Sequence, residues 1–266
     1  MNDSHAAPEL QAPAPVQWWR YLYRVPLFAL LLFAGFVPLA ILLLPGLRDV
    51  HWRGHCVRER YQCSLARWLL RALGMRLVVS GRLPQRPFLL AANHISWYDI
   101  LALHALVPVW LVAKAEIHGW PLIGVLARAV GTIFIVRGDD RSSRRVSRRM
   151  RALLRTGEAV GFFPEAGIAR TPGVRRFHAR LFGPAIRCGV PVVPVAIRYW
   201  RDGDLFFERA YTEGRSLLGL LFQSLGQPPC EVQLMIGPAL DPDGRSRDEL
   251  ARLAEQSVRS MLAGGC

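Results

Sequence analysis

Lysine is almost absent from this sequence, whose 34 basic residues include a single lysine, Lys114. Acidic side chains are also few, 20 in 266 residues, so the formal net charge is +14. Such an excess of arginine suits anionic partners: lipid head groups, acidic substrates or nucleic acid. No zinc-ligand spacing or recognition-helix pattern accompanies the charge, so we expect no nucleic-acid partner.

Cysteine is also scarce, and its five positions form no pattern. The cysteines are far apart in the sequence and no CxxC pair occurs, which argues against both a disulfide framework and a zinc site. This usage fits a reducing, cytoplasmic environment. We expect no bound metal and no resident cofactor.

One long apolar run stands near the N-terminus. Residues 1–16, rich in alanine and proline without periodicity, are predicted to be a disordered tail. Residues 26–44 are nearly all apolar, which is just long enough for a membrane span of ~20 residues. Pro26, Gly35 and Pro38 leave a re-entrant hairpin open as the alternative.

Charged and aromatic residues flank this run unequally. Tryptophans and tyrosines precede it, and the larger number of arginines follows it, which favours a cytoplasmic position for the rest of the chain. We therefore predict membrane-anchoring helices over residues 17–75 and a separate domain over residues 76–266.

Short apolar strands alternate with helices from residue 76 onward. Strands are predicted near residues 77–80, 88–92, 109–113, 132–136, 159–163, 192–197 and 232–236. Helices are predicted near residues 98–106, 122–130, 141–156, 176–188 and 246–262. This alternation predicts an α/β fold, with a mainly parallel layered sheet flanked by helices behind an N-terminal membrane-embedded segment.

The turn after the predicted strand at 88–92 contains His94 and, five residues later, Asp99. Ligands usually bind at the carboxyl edge of such a sheet, and an imidazole held by a carboxylate can deprotonate a hydroxyl. The spacing Ser96-x-x-Asp99 also fits a capping box, in which Asp99 would only stabilise a helix start. The two interpretations are compatible, because a cap at Ser96 would fold Asp99 back toward His94.

Four ordered sequence blocks resemble those of the glycerolipid acyltransferase family. The blocks are Asn93–Asp99, Gly131–Arg137, Phe163–Glu165 and Val190–Ile197. The segment 112–124 is also similar to the family's sequence between its first two blocks. The resemblance covers residues 77–199, and four blocks in order are far more specific than any one of them.

This resemblance implies roles for individual residues. His94 would be the general base, and Asp99 would set the tautomer of its ring. Arg137 is the first candidate to bind an acceptor phosphate and Lys114 the second, because cations at strand ends can clamp it. Glu165 would accept hydrogen bonds from basic residues or backbone amides and so order the site.

The third block departs from the family pattern. The family usually continues Pro-Glu with Gly-Thr and then a basic or small polar residue, whereas Glu165 is followed here by Ala-Gly-Ile-Ala and Arg170. Arg170 is assigned the role of the family's basic residue, although it stands two positions farther along the chain. Arg175 and Arg176 are alternatives.

The resemblance also implies a reaction and a location. A fatty acyl group would pass from acyl-CoA or acyl-carrier protein to 1-acylglycerol-3-phosphate, a lysophospholipid, at the cytoplasmic face of a bacterial inner membrane. The altered third block keeps lyso-ornithine lipid or another lysolipid as an alternative acceptor. The alternative from a different class is a non-catalytic basic protein that binds membrane or nucleic acid.

Two further segments have open interpretations. The predicted helix at 141–156 carries seven arginines, which form either a solvated face or a patch that holds the domain against anionic phospholipid. The apolar run at 217–222 could belong to the core or could contact a membrane or an acyl chain.

Overall fold

The computed structural model describes residues 16–42, 44, 46–47, 50–52, 55–119, 123–136, 138–169, 173–206 and 216–264. The predicted tail therefore lies outside the described residues, apart from Val16. Arg137 and Arg170 also lie outside them.

The apolar N-terminal segment forms one helix, α1 (Trp19–Ile41). This helix is continuous through Pro26 and Pro38, so a re-entrant hairpin would have to turn outside residues 19–41. It begins before the predicted run because aromatic residues and Arg20 extend it toward the N-terminus. With a mean hydropathy of 2.1, α1 is long and apolar enough to cross a membrane.

A second helix packs along α1. After a short ribbon of β1 (His51–Trp52) and β2 (His55–Cys56), helix α2 covers Val57–Ala72. The two helices approach closely at Gly35, where an added Cβ would lie 2.6 Å from Leu65 Cδ1. The Tyr61 hydroxyl donates to the Gly35 carbonyl at 2.7 Å, which is a second contact between the two helices at this point.

The predicted α/β sheet is confirmed. Eight strands of the described chain pair in one sheet, with the order β3-β10-β8-β4-β7-β5-β6 and β9 against β8. Their bounds are β3 Met75–Ser80, β4 Leu89–Ala92, β5 Trp110–Lys114, β6 Thr132–Ile135, β7 Val160–Phe162, β8 Val192–Arg201, β9 Asp204–Leu205 and β10 Cys230–Ile236. The five strands from β8 to β6 are mutually parallel, and β3 and β10 run in the opposite direction.

Helices cover both faces of the sheet. They are α3 Tyr98–Leu106, α4 Ile123–Ala129, α5 Asp140–Arg155, α6 Gly183–Cys188, α7 Leu217–Gly226 and α8 Arg247–Ala263. On one face α2, α3 and α7 share a core, and on the other face α5, α6 and α8 share a second core. Because α1 packs on α2 and α7, it lies on the face opposite to α5 and its arginines.

Polar caps explain where several helices begin. The Asp139 carboxylate accepts a hydrogen bond from Arg141 N at 2.8 Å, and the Ser246 hydroxyl accepts one from Glu249 N at 3.1 Å. The helix predicted at 176–188 is shorter than expected. It consists of a 3₁₀ turn over Ala179–Phe182 followed by α6, because the preceding residues are held by outside partners, as in the bond from His178 N to Pro164 O.

The apolar run at 217–222 serves two purposes. Helix α7 contributes the buried Leu220 to the interior, while Leu218 and Phe222 are 79% and 64% exposed. Two buried arginines of α1 bind its C-terminal end: Arg20 and Arg24 donate to carbonyls there, at 2.5 Å and 2.8 Å to Gln227 O. Cations at a helix C-terminus satisfy its free carbonyls, so α1 is held by charge as well as by packing.

Candidate active site

The site lies where β4 ends at the carboxyl edge of the sheet. Beyond Ala92 the main chain leaves the sheet, and the Asn93 side chain takes over the pairing with β8. Its amide donates to Ile197 O at 3.0 Å and accepts from Ile197 N at 2.7 Å. This amide pair reproduces the two bonds of a strand neighbour, and it fixes the backbone that carries His94.

His94 and Asp99, brought together as the sequence predicted, form a hydrogen-bonded pair. His94 Nδ1 lies 2.9 Å from Asp99 Oδ2, and the Asp99 side chain is fully buried. Because an ionised carboxylate can only accept, the proton of the neutral ring sits on Nδ1, and Nε2 is left as the free base. The imidazole stacks on Phe163 with ring centroids 4.0 Å apart, which limits its rotation.

Asp99 also has the structural role that the capping-box pattern predicted. Its Oδ2 accepts from Ile95 N at 2.8 Å and from Ser96 N at 2.9 Å. The helix itself starts at Tyr98, with Trp97 at the capping position and no side-chain cap on it. One carboxylate therefore closes the turn and holds the imidazole, although the helix is capped at Trp97 and not at Ser96 as predicted.

A tyrosine that our sequence reasoning did not single out reaches the same carboxylate. The Tyr199 hydroxyl donates to Asp99 Oδ1 at 2.8 Å, and Tyr199 is fully buried. Side chains alternate along β8, so Val195, Ile197 and Tyr199 lie on the same face of the sheet. The strand pattern therefore predicts the face on which Tyr199 lies. Its pairing with Asp99, one hundred residues earlier, had no local signal.

Glu165 follows the neighbouring strand β7, and its side chain contacts the turn that contains His94. Its carboxyl is fully buried, and Oε1 accepts from His94 N at 3.3 Å. Burial raises the pKa of Glu165 to about 8, while the amides of His94 and Arg175 act in the opposite direction. Oε2 has no hydrogen-bond partner in the part of the chain that the structure describes. A protonated carboxyl is favoured there near neutral pH.

The altered third block still makes a sharp turn. Ala166 has a φ of 57°, in the left-handed region where the family pattern has glycine. A left-handed alanine costs about 1–2 kcal/mol relative to its ordinary conformation, so the chain tolerates strain to keep this geometry.

A cavity of about 1730 Å³ extends from the turns after β4 and β7 to the N-terminal helices. Its lining includes His94, Trp97 and Lys114 near the sheet edge, and apolar side chains of α1 and α2 farther away. Lys114, at the end of β5, points its ammonium to within 3.5 Å of Glu116 Oε1 and is 44% exposed. The two predicted arginine ligands, Arg137 and Arg170, lie outside the described residues.

No cluster of His, Cys, Asp and Glu within the described residues has the arrangement of a metal site. His104, which lies outside the four sequence blocks, is buried in α3 beside Gln62, with its Nδ1 3.1 Å from Gln62 Nε2. Burial lowers the pKa of His104 to about 4, so its ring is neutral.

A buried His–Asp pair whose imidazole lines a largely apolar cavity has the geometry to activate the hydroxyl of a lipid-like substrate. Comparisons with known proteins agree with this chemistry. The family description "Acyltransferase" matches residues 64–198. The chain therefore belongs to the acyltransferase family, and it is an enzyme rather than the non-catalytic binding protein considered above.

Individual relatives share most of their length with this chain. It is 39% identical over 204 residues to a lyso-ornithine lipid O-acyltransferase from Pseudomonas aeruginosa, covering 75% of this chain and 79% of the relative. It is 40% identical over 209 residues to a 1-acyl-sn-glycerol-3-phosphate acyltransferase from Neisseria meningitidis, covering 77% and 82%. The crystal structure of the 1-acyl-sn-glycerophosphate (LPA) acyltransferase PlsC from Thermotoga maritima has the same fold, with a TM-score of 0.68, 22% identity and coverage of 92% and 94%.

Proposed function

We propose that this enzyme transfers a fatty acyl group from a thioester donor to the free hydroxyl of a lysolipid at a membrane surface. The observation that carries the proposal is the 2.9 Å hydrogen bond from His94 Nδ1 to Asp99 Oδ2, together with the position of His94 in the lining of the cavity. The donor is a thioester of coenzyme A or of acyl-carrier protein, and the first candidate acceptor is 1-acylglycerol-3-phosphate.

His94 Nε2 acts as the base in this mechanism. It removes the proton of the acceptor hydroxyl as the oxygen attacks the thioester carbonyl, and the tetrahedral intermediate then expels the thiolate. The imidazolium returns its proton to the leaving sulfur, while the Asp99 charge stabilises the cationic ring. A positioned base of this kind contributes about 10²–10⁴-fold to the rate.

The two ends of the cavity suit the two parts of such substrates. Apolar side chains of α1 and α2, among them Phe28, Leu65 and Leu69, line the end that would hold hydrocarbon. Lys114 lies at the sheet edge near the base, where an ammonium favours an anionic head group. Arg137 and Arg170, which the sequence assigned to the same head group, remain part of this proposal.

Membrane association is supported by α1, whose exposed face is apolar and includes Leu30, Phe33 and Val37. The arginines that follow α1 favour the cytoplasmic side. We place the enzyme at the inner membrane of a bacterium, with the tail at 1–16, anchoring helices at 17–75 and the catalytic domain at 76–266. Helix α2 shares its core with α3, so anchor and catalytic domain are packed together.

A second acceptor, lyso-ornithine lipid, is favoured by two observations. The Pseudomonas aeruginosa relative with that name is 39% identical over 79% of its length. The third block also lacks the usual residues after Glu165, and an acceptor without phosphate would not need the usual contacts there.

Purified protein in mixed micelles tests the proposal. Wild type should release thiol from acyl-CoA or from acyl-carrier protein only with a lysolipid acceptor present. His94→Ala should lose about 10³-fold of that activity while remaining folded and membrane-bound. His51→Ala, which removes an exposed imidazole of β1, serves as the control and should be fully active. Normal turnover in His94→Ala would contradict the proposal.

A matched acceptor panel then separates the two lysolipids. Values of kcat/KM for lysophosphatidic acid and lyso-ornithine lipid should differ by more than tenfold, and Lys114→Met should raise KM only for an acceptor with phosphate. If lyso-ornithine lipid is preferred and Lys114→Met has no effect, the acceptor assignment changes and the base assignment stands.

A further inference from the structure

We infer that Tyr199 is a positioning residue for the catalytic pair, through its bond to the carboxylate oxygen of Asp99 that does not face His94. This inference rests on the proposed role of His94 as base. Tyr199 lies in β8, beyond the end of its neighbour β4, and is not among the described residues that line the cavity.

The donors around Asp99 divide between its two oxygens. Oδ2 accepts from His94 Nδ1, Ile95 N and Ser96 N, all within 2.9 Å. Oδ1 accepts from Tyr199 alone at 2.8 Å, in the interactions that the described residues show. Removal of the Tyr199 hydroxyl therefore leaves a buried carboxylate oxygen with no donor, whereas Oδ2 would keep all three.

The phenol is held in place by its surroundings. Tyr199 Cα pairs with Val232 of β10, and the hydroxyl also hydrogen-bonds to the Ser96 side chain. Burial, and next the charge of Asp99, raise the pKa of Tyr199 well above its usual value, so the hydroxyl keeps its proton and acts as a donor. A fixed donor on Oδ1 withdraws negative charge from the carboxylate and orients its plane toward the imidazole.

The direction of the functional effect follows from this charge. Without the Tyr199 hydroxyl, the carboxylate is more basic and attracts the imidazolium proton more strongly. His94 then keeps its proton to higher pH and is a free base in a smaller fraction of molecules. The acid limb of the kcat/KM profile should move to higher pH in Tyr199→Phe, by roughly 0.5 pH unit, so kcat/KM measured below that limb should fall about threefold. KM for the acceptor should change little.

Tyr61→Phe is the matched control. Tyr61 also loses one hydroxyl hydrogen bond, the 2.7 Å bond to Gly35 O, but it lies between α1 and α2 and does not contact the pair. Both variants should unfold at a lower temperature than wild type, and only Tyr199→Phe should shift the acid limb. An unshifted profile in folded Tyr199→Phe would show that the tyrosine is merely structural.

A second replacement keeps the inference testable if Tyr199→Phe does not fold. Fluorinated tyrosine incorporated at position 199 preserves the ring and hydroxyl but makes the phenol a stronger donor to Asp99. The acid limb should then move in the opposite direction, to lower pH. No movement, or movement to higher pH, would overturn the inference. Loss of all activity in wild type at every pH would instead reject the proposed function.

Discussion

The sheet edge has two neighbouring corners: the turn after β4, with His94 and Asp99, and the turn after β7, with Glu165 and Ala166. The two corners differ in how many of their buried polar atoms are hydrogen-bonded. At the end of β4, Asp99 accepts four hydrogen bonds, and every donor comes from the fold itself. At the end of β7, Glu165 Oε2 is buried and has no hydrogen-bond partner among the residues that the structure describes, and Ala166 adopts a left-handed conformation. The proposed base is therefore held in one geometry, whereas the corner beside it has a strained residue and, within the described chain, an unpaired oxygen.

This difference fits the separate demands on the two corners. A general base must hold one geometry throughout turnover, so a saturated hydrogen-bond shell suits it. If the acceptor head group binds beside Glu165, it would supply partners for groups that the described residues leave unpaired there. Substitutions in the first corner should alter the rate, and those in the second should mainly alter stability.

The largest effect is expected for Asp99→Asn. The amide oxygen can still accept the Ile95 and Ser96 amides, but a neutral group cannot stabilise an imidazolium. The value of kcat should fall on the order of 10³-fold with modest loss of stability. Asp241→Asn, in an exposed turn before α8, removes a carboxylate away from the site and should retain full activity. A fully active Asp99→Asn would mean that the carboxylate only caps the turn.

Glu165→Gln should act through the pH dependence of stability. The folded-state pKa is about 8, above the ordinary value of 4.5, so the folded protein holds a proton that the unfolded chain has lost between these limits. Wild-type stability should therefore fall, relative to the variant, by about 1.4 kcal/mol per pH unit as pH rises from 4.5 to 8.

Urea unfolding of wild type and Glu165→Gln at pH 5, 6, 7 and 8 measures this difference. The variant carries no titrating group at this position, so contributions from other residues cancel in the subtraction. Parallel stability curves over this range would show that Glu165 is ionised in the folded protein.

The smallest effect is expected for Ala166→Gly, and it should be stabilising. Glycine adopts a φ of 57° without the steric cost that alanine bears, although it has more unfolded-state entropy. We expect a gain of about 0.5–1 kcal/mol in the free energy of unfolding. Ala152→Gly, at an exposed position inside α5, should lose a similar amount and reports the cost of glycine where no strain exists. If Ala166→Gly loses stability as Ala152→Gly does, Ala166 is not strained in the folded protein.

Local patterns in the sequence were sufficient to predict the secondary structure and the His94–Asp99 pair of the site. Apolar alternation and capping residues located the strands and most helices, and the short spacing from His94 to Asp99 revealed the pair. The order of the strands depends on long-range pairing, such as that of β8 with β10, which no local pattern encodes. For the same reason Tyr199 and Asn93 could not be assigned, since their partners, Asp99 in α3 and Ile197 in β8, are about one hundred residues away in sequence.

The two buried arginines of α1 have a consequence for how the chain is made. Arg20 and Arg24 bind the carbonyl of Gln227, which is 207 and 203 residues away in sequence. At ribosomal rates of ~5–20 residues per second, α1 waits about 10–40 s for these acceptors. Guanidinium groups without partners are costly in hydrocarbon, so if α1 enters a membrane we expect its N-terminal end to stay at the water interface during this time. The contacts that hold this end of α1 are completed by a segment that lies more than 200 residues later in the sequence.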